Sequence, residues 1–380
     1  MRNMENPFKY WLVVEEDNFC NRRKELQELL KIMQSGGRAF MYSERRYGKT
    51  SLVKLALKKL PKKNYITAYV DLWKTDSDAS FITTVAKAYS DALTSNLEKA
   101  IETAKRLFSH LKPSITLDDH GSPTLTFGIT RSTRLDPELE EILTAPEKIA
   151  SEGKRVVIVF DEFQQILVYG NDDIERQLRS VIQHQKDICY IFLGSRKHVV
   201  REMFLKGSRP LYRSTTQFPL GLISEEDWQP FIKEKFNHTQ KKISSQLIHT
   251  IIELTEGHPF YTQYLCNVSW ELCKSRGEVS EAIIQQALQT VLEKERYTYL
   301  VLWESLTLNQ QRFLRALAIE LNKAKPFSAE FLQRHHLGSA SSAQRVIHSL
   351  LDKDLVDQEN GSYIILDRFL RLWLRSTSNE

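Results

Sequence analysis

The sequence predicts an α/β core on a parallel sheet, then an all-helical region, then a small domain of three helices and a hairpin. Three observations carry that reading. Apolar runs without polar alternation, at 39–42, 155–160 and 188–193, read as strands covered on both faces. Helical periodicity follows the first two, at 51–60 and 174–185, whereas beyond Leu220 the alternation of strand and helix stops. Near the end, Glu359-Asn360-Gly361 marks a tight hairpin after three helical stretches. The expected divisions are residues 1–222 for the core with its N-terminal segment, 223–303 for the helical region and 304–380 for the last domain.

In chain order, the first fifteen residues hold Pro7, Phe8, Tyr10 and Trp11 and read as an irregular segment lying across the next domain. An amphipathic helix opens at Asn21 and runs through Met33, with Leu26, Leu29, Leu30 and Met33 on its apolar side. Arg22 at its start reads, on pattern alone, as a solvated charge. The strand at 39–42, preceded by Gly36-Gly37, leads into Ser43-Glu-Arg-Arg-Tyr-Gly-Lys-Thr50 and then a helix with Leu52, Leu55, Ala56 and Leu60 near one face.

Strand, tight loop and helix in that order suit a nucleoside triphosphate. The loop amides of Ser43, Arg45, Arg46, Tyr47, Gly48 and Ser51 are candidates to curl around phosphates, Lys49 meets their charge, and Thr50 offers a hydroxyl to Mg²⁺. The helix start adds the positive end of its dipole. The usual spacing has glycine where this chain has Ser43. Glycine permits φ > 0 there, and serine makes the same turn if its backbone stays in an ordinary region.

A strand at 64–72 ends near Asp71, and 81–107 reads as one long helix or two. Residues 111–134 are β-leaning around Gly121-Ser-Pro123 and read as a hairpin or insertion without assigned chemistry. A helix over 137–152 leads to the strand that ends in Asp161-Glu162. Two carboxylates after a buried strand must meet charge, because desolvating them alone is costly. With the loop upstream, Asp161 is the candidate to hold hydrated Mg²⁺ and Glu162 to orient or deprotonate water. The bland alternative is a helix cap. The third strand ends in Gly194-Ser195-Arg196, which puts Ser195 beside a γ-phosphate and gives Arg196 a charge-stabilising part. The three strand ends converge on the carboxyl edge, where open parallel sheets bind ligands.

Ser224 caps a helix rich in acidic residues at its start, and helices continue to about Trp303. Within them Gly257 ends one helix and Pro259 opens the next, a pattern that favours a plain turn. The last domain, with helices at 309–321, 328–335 and 341–351 and a hairpin, reads as a winged helix-turn-helix. Ser342, Gln344, Arg345 and His348 lie on its recognition-type helix, while Asp357 and Glu359 on the wing would repel phosphate. DNA and a protein partner remain equally open. Asp367–Trp373 begins a closing amphipathic helix, with Arg368, Arg371 and Arg375 on its exposed face.

Lys+Arg 53 against Asp+Glu 48 gives a net charge of +5, which permits nucleic acid without demanding it. The four cysteines lack CxxC spacing and sit among apolar neighbours, so buried thiols in a reducing compartment are expected. With neither a signal core nor a membrane-length apolar run, a cytoplasmic protein is expected.

Taken together, these motifs resemble those of prokaryotic (archaeal and bacterial) AAA-related P-loop ATPases of the STAND class. The resemblance spans nearly the whole chain: Asn6-Pro-Phe-Lys-Tyr10, Phe19-Cys-Asn-Arg-Arg-Lys-Glu-Leu26, Tyr47-Gly-Lys-Thr50, Phe160-Asp-Glu-Phe-Gln164 and Phe192-Leu-Gly-Ser195. Pro210-Leu-Tyr212, Gly257-His-Pro259 and the closing Asp367-to-Trp373 segment complete it. It implies a P-loop NTPase core of AAA-like type, a helical lid and a winged helix, using ATP or ADP with Mg²⁺. It also implies that Arg22 lies near the nucleotide and that His258 and Pro259 meet its adenine side. Arg213-Ser214 stands where similar proteins commonly have Gly-Arg. The implied function is an ATP-hydrolysing switch that positions lid and winged helix for a partner protein, with oligomers permitted. The alternative is a DNA-binding regulator with slow hydrolysis.

Overall fold

The computed structural model describes residues 5–11, 19–20, 22–129, 135–150, 153–195, 197–320, 325–359 and 362–377. The chain divides into two compact units, residues 22–221 and residues 1–21 with 222–380.

The first unit begins with α1 (Arg23–Gln34), β1 (Arg38–Tyr42), α2 (Lys49–Lys59), β2 (Tyr65–Asp71), α3 (Asp78–Leu93) and α4 (Leu97–Leu107). The expected long helix is thus two, because Asn96 caps a fresh start and accepts from the Lys99 N–H. A hairpin follows, β3 (Leu111–Leu117) and β4 (Pro123–Ile129), whose Phe127 meets Phe108 edge-on at 5.8 Å. Then come α5 (Asp136–Ala150), β5 (Arg155–Asp161), a 3-10 turn over Phe163–Tyr169, α6 (Asp173–Ile182), β6 (Ile188–Gly194), α7 (Lys197–Leu205) and β7 (Thr216–Pro219).

Five of these strands form one all-parallel sheet in the order β2-β5-β6-β1-β7. β6 is buried along its whole length and β5 is buried after its first residue, which explains why both are continuously apolar. Each such side chain contributes about 1.5–3 kcal/mol by leaving water. Phe160 lies opposite Phe192 in register, their rings stacked at 5.7 Å, and Tyr190 continues the same aromatic row. The register sets Asp71 opposite Asp161 and Tyr42 opposite Gly194, so the strand ends share one edge.

The second unit holds α8 (Glu225–His238), α9 (Ser245–Thr255), α10 (Pro259–Leu272), α11 (Glu281–Glu304), α12 (Leu308–Glu320), α13 (Ala329–Arg334) and α14 (Ala340–Asp352). The hairpin β8 (Val356–Glu359) and β9 (Ser362–Ile365) and the closing α15 (Arg368–Ser376) complete it. The turn residues Asn360 and Gly361 lie outside the described residues.

Four expectations change here. The N-terminal segment packs in the second unit instead of the core: Phe8 is fully buried against Phe236 and its carbonyl accepts from Asn267 Nδ2 at 2.8 Å. The expected lid and winged helix share one hydrophobic core, from Phe8 to Leu374, because α15 packs on α9 and α11 as well as on α12. Arg368 and Arg371 are buried, not exposed, since Glu256 after α9 pairs with both, with Arg368 Nε donating at 3.0 Å; Arg375 stays exposed. On the wing, Asp357 is also buried, which removes it as a repelling surface charge, and the Glu359 side chain lies outside the described residues.

All four cysteines are buried thiols. Among the described residues, no helix is long and apolar enough to cross a membrane.

Candidate functional site

β1 delivers the chain to its carboxyl edge and the loop 43–48 turns it back into α2. Ser43 is buried and, with Glu44 and Arg45, is not among the residues of positive φ. The turn is made further on, by Arg46 at φ 64° and Gly48 at φ 87°. That is how the loop dispenses with a glycine at its first position. Gly48 is the N-cap of α2, with no side-chain cap and no acidic residue in the first turn, so nothing acidic in that turn competes with an anion there.

Lys49 is buried, and its ammonium donates to Ser43 O at 3.0 Å, Ser43 Oγ at 3.1 Å and Glu44 O at 2.8 Å. These contacts hold the amine inside the loop. Arg22, expected from pattern alone as solvated, is 5 % exposed; it donates to Tyr47 O at 3.2 Å and Gly221 O at 2.8 Å, and pairs with Glu25. Tyr47 in turn donates to Glu44 Oε1 at 3.1 Å. Arg45 and Arg46 are exposed, with the Arg45 guanidinium 5.7 Å from the exposed Trp73 ring. Ser51 is buried in the first turn of α2.

Thr50 Oγ1 donates to Asp161 Oδ2 at 2.9 Å. The same oxygen accepts from Tyr69 OH, and Asp161 Oδ1 accepts the Glu162 N–H at 2.9 Å. Burial, reinforced by the Asp161 charge, pushes the Tyr69 phenol well above its ordinary value, so it remains a donor. Among the described residues, no cluster of three or more His, Cys, Asp or Glu is arranged to hold a metal. One hydroxyl and one carboxylate fit Mg²⁺, which keeps several waters and takes further oxygens from phosphates.

Glu162 leaves β5 in the left-handed region, φ 52° and ψ 43°. Its Oε2 accepts from Ser195 Oγ at 2.7 Å and from Gln164 Nε2. Thus the ends of β5 and β6 are joined through a carboxylate and a hydroxyl. Arg196 lies outside the described residues. Gly194 is required, since a Cβ there would come 2.0 Å from Val200 Cγ2 and 2.8 Å from Gln164 Oε1.

His258 and Pro259 belong to the second unit. His258 is buried as the N-cap of α10, accepting the Phe260 N–H on Nδ1 at 3.2 Å, and Pro259 is the first residue of that helix. Gly257 has φ 65°, and a Cβ on it would meet Ile223 O at 2.6 Å. Arg213, also at positive φ, is exposed, with its guanidinium 5.2 Å from the Tyr212 ring.

Sequence reasoning missed Tyr69 and Gln164 as neighbours of the two carboxylates. Tyr69 lies two residues before Asp71 on the strand beside β5, hence on the same face as Asp161, a relation that needs the strand order.

Residues 19–265 match a family model described as "ATPase domain predominantly from Archaea", and residues 297–376 match one described as "Probable winged helix domain". An uncharacterized ATP-binding protein of Pyrococcus abyssi is 28% identical over 153 residues, 39% of this chain and 43% of that protein. The match therefore spans under half the length of that curated relative. Among solved structures, the Walker-type ATPase PABY2304 of Pyrococcus abyssi superposes with a TM-score of 0.67 at 16% identity, covering 97% of this chain and 99% of that one. The Aeropyrum pernix ORC2 protein, solved as ADPNP-ADP complexes, gives 0.55 at 14% identity, covering 100% and 99%. The ORC1 protein of the same organism, solved in complex with DNA, gives 0.51 at 13% identity, covering 99% and 98%. The fold is that of an AAA-like P-loop NTPase: a parallel-sheet core, then a helical lid and a winged helix domain.

Proposed function

The chain belongs to the family of ATPase domains found predominantly in Archaea, and on that premise we propose that it binds ATP with Mg²⁺, hydrolyses it to ADP and phosphate, and uses the nucleotide state as a switch. The observation that carries this reading is the pair of hydrogen bonds Thr50–Asp161 and Ser195–Glu162, on one carboxyl edge beside the Lys49 loop.

In this reading Lys49 exchanges its loop carbonyls for β- and γ-phosphate oxygens, with the amides of residues 43–51 around them. Thr50 and Asp161 are the residues that would hold Mg²⁺, which when bound offsets charge on the phosphoryl oxygens. Glu162 orients a water and takes its proton as the water oxygen bonds to the γ-phosphorus and the bond to the ADP oxygen breaks. Ser195, hydrogen-bonded to that carboxylate, senses the γ-phosphate, and Arg196 adds charge stabilisation. Arg22 fixes the loop through Tyr47 O, and the family resemblance assigns His258 and Pro259 to adenine recognition. The switch is of the STAND kind: ATP and ADP favour different placements of lid and winged helix, which a protein partner reads. Calorimetry with ATP in Mg²⁺ or EDTA, followed by phosphate release, tests this. Magnesium-dependent binding with turnover is expected, and a chain that ignores ATP overturns it.

A second reading, DNA binding through the winged helix, is favoured by one observation: Gln344, Arg345 and His348 share the exposed face of α14. It requires a duplex shift that falls steeply with salt and with Arg345→Ala. Absence of a shift with any duplex removes it.

A further inference from the structure

We propose that Gln164 is a positioning residue for Glu162, fixing which carboxylate oxygen is left to receive the proton from water; this rests on the ATPase reading of the site. Two donors, Ser195 Oγ at 2.7 Å and Gln164 Nε2, fall on the same oxygen, Glu162 Oε2. Among the described residues nothing donates to Oε1. The two oxygens are therefore unequal: Oε2 is committed to its donors, and Oε1 is the one available to a water.

The Gln164 amide sits where stability alone would not put it. The residue is 8 % exposed, and its Oε1 is a buried acceptor without a partner. An orphaned buried carbonyl costs about 1–3 kcal/mol, and a methionine of similar length would avoid that cost. Turning the amide over would set its carbonyl against the Glu162 carboxylate, so the N–H₂ group is held toward the acid. Space for the carbonyl exists because residue 194 is glycine: a Cβ there would stand 2.8 Å from Gln164 Oε1. Three neighbouring features thus serve one geometry: the left-handed backbone of Glu162, the missing side chain at Gly194 and the buried amide between them.

The test compares the full chain with Gln164→Met, Glu162→Gln and the double variant, measuring ATP affinity by calorimetry, single-turnover rate with Mg²⁺ and thermal stability. In Gln164→Met we expect the rate to fall about ten- to a hundredfold, a share of the roughly 10²–10⁴ that a positioned general base supplies. ATP affinity should hold, and the melting temperature should not fall. With Glu162→Gln already present, Gln164→Met should add no further loss, because the amide acts through the carboxylate. A merely structural role would lower the rate equally in both backgrounds, and that result, or a parental rate in Gln164→Met, overturns the proposal. If Gln164→Met does not fold, Gln164→Glu replaces it: a second acid beside Glu162 should depress the rate with ATP affinity unchanged, and a parental rate overturns the proposal. A parent chain without turnover instead overturns the reading of the whole site.

Discussion

Thr50 Oγ1 and Asp161 Oδ2 lie 2.9 Å apart across a sequence separation of 111 residues, tying the first turn of α2 to the last residue of β5. The pair brings a neutral donor and a carboxylate to one point, and among the described residues no cluster of three or more His, Cys, Asp or Glu is arranged to hold a metal. Asp161→Asn keeps the size and removes the charge. Parent ATP binding should weaken when EDTA replaces Mg²⁺, whereas the variant should bind ATP equally weakly in both. A variant that still responds to Mg²⁺ like its parent would remove Asp161 from the proposed metal site.

Lys49 and Glu162 should separate binding from chemistry. Lys49→Ala deletes the buried ammonium proposed to meet the phosphates, so turnover should vanish and ATP affinity should fall by about tenfold or more. Glu162→Gln should keep ATP binding and lose about a hundredfold or more in turnover. Full activity in Glu162→Gln would show that another group activates the water.

Glu256 holds two buried arginines of α15, Arg368 and Arg371, from the C-terminal end of α9. Removing it takes away the carboxylate that both guanidinium groups share, leaving Arg368 its bond to Leu366 O at 2.6 Å. Glu256→Ala should destabilise the second unit by about 3 kcal/mol, read by denaturant unfolding. A change under about 0.5 kcal/mol would mean that water reaches both guanidinium groups.

Glu175 gives the core a pH response. Burial pushes its carboxyl up to about 7 from an ordinary 4.5, against the opposing pull of the paired Arg209 guanidinium. Between those values the folded chain keeps a proton that the unfolded chain releases. The stability from this group is therefore full below about 4.5 and declines as pH rises through about 7. Melting temperatures between pH 5 and 8 should decline less steeply in Glu175→Gln, and an unchanged slope would refute this assignment.

The phosphate loop and the Asp161-Glu162 pair were legible because fully buried strands leave continuous apolar runs and their ends carry the polar exceptions. The closing arginines were misread for the opposite reason. Helical spacing puts Arg368, Arg371 and Arg375 close together on a helix, yet it says nothing of Glu256, 112 residues from Arg368. Tyr69 and Gln164 escaped similarly, since their meetings depend on strand order and on the left-handed backbone of Glu162. Strand β7 is four residues long, too short to show a period.

The chain passes from one unit to the other at 21/22 and at 221/222, and Arg22 bonds to Gly221 O at 2.8 Å, so the first and last residues of the sheet-bearing unit touch. Topologically that unit is a guest spliced into a host whose two flanks make up the rest of the fold. Such a guest is excisable as one continuous stretch, residues 22–221, carrying the loop and all three strand ends with it. The host, by contrast, has to be rejoined from both flanks before it can be studied alone.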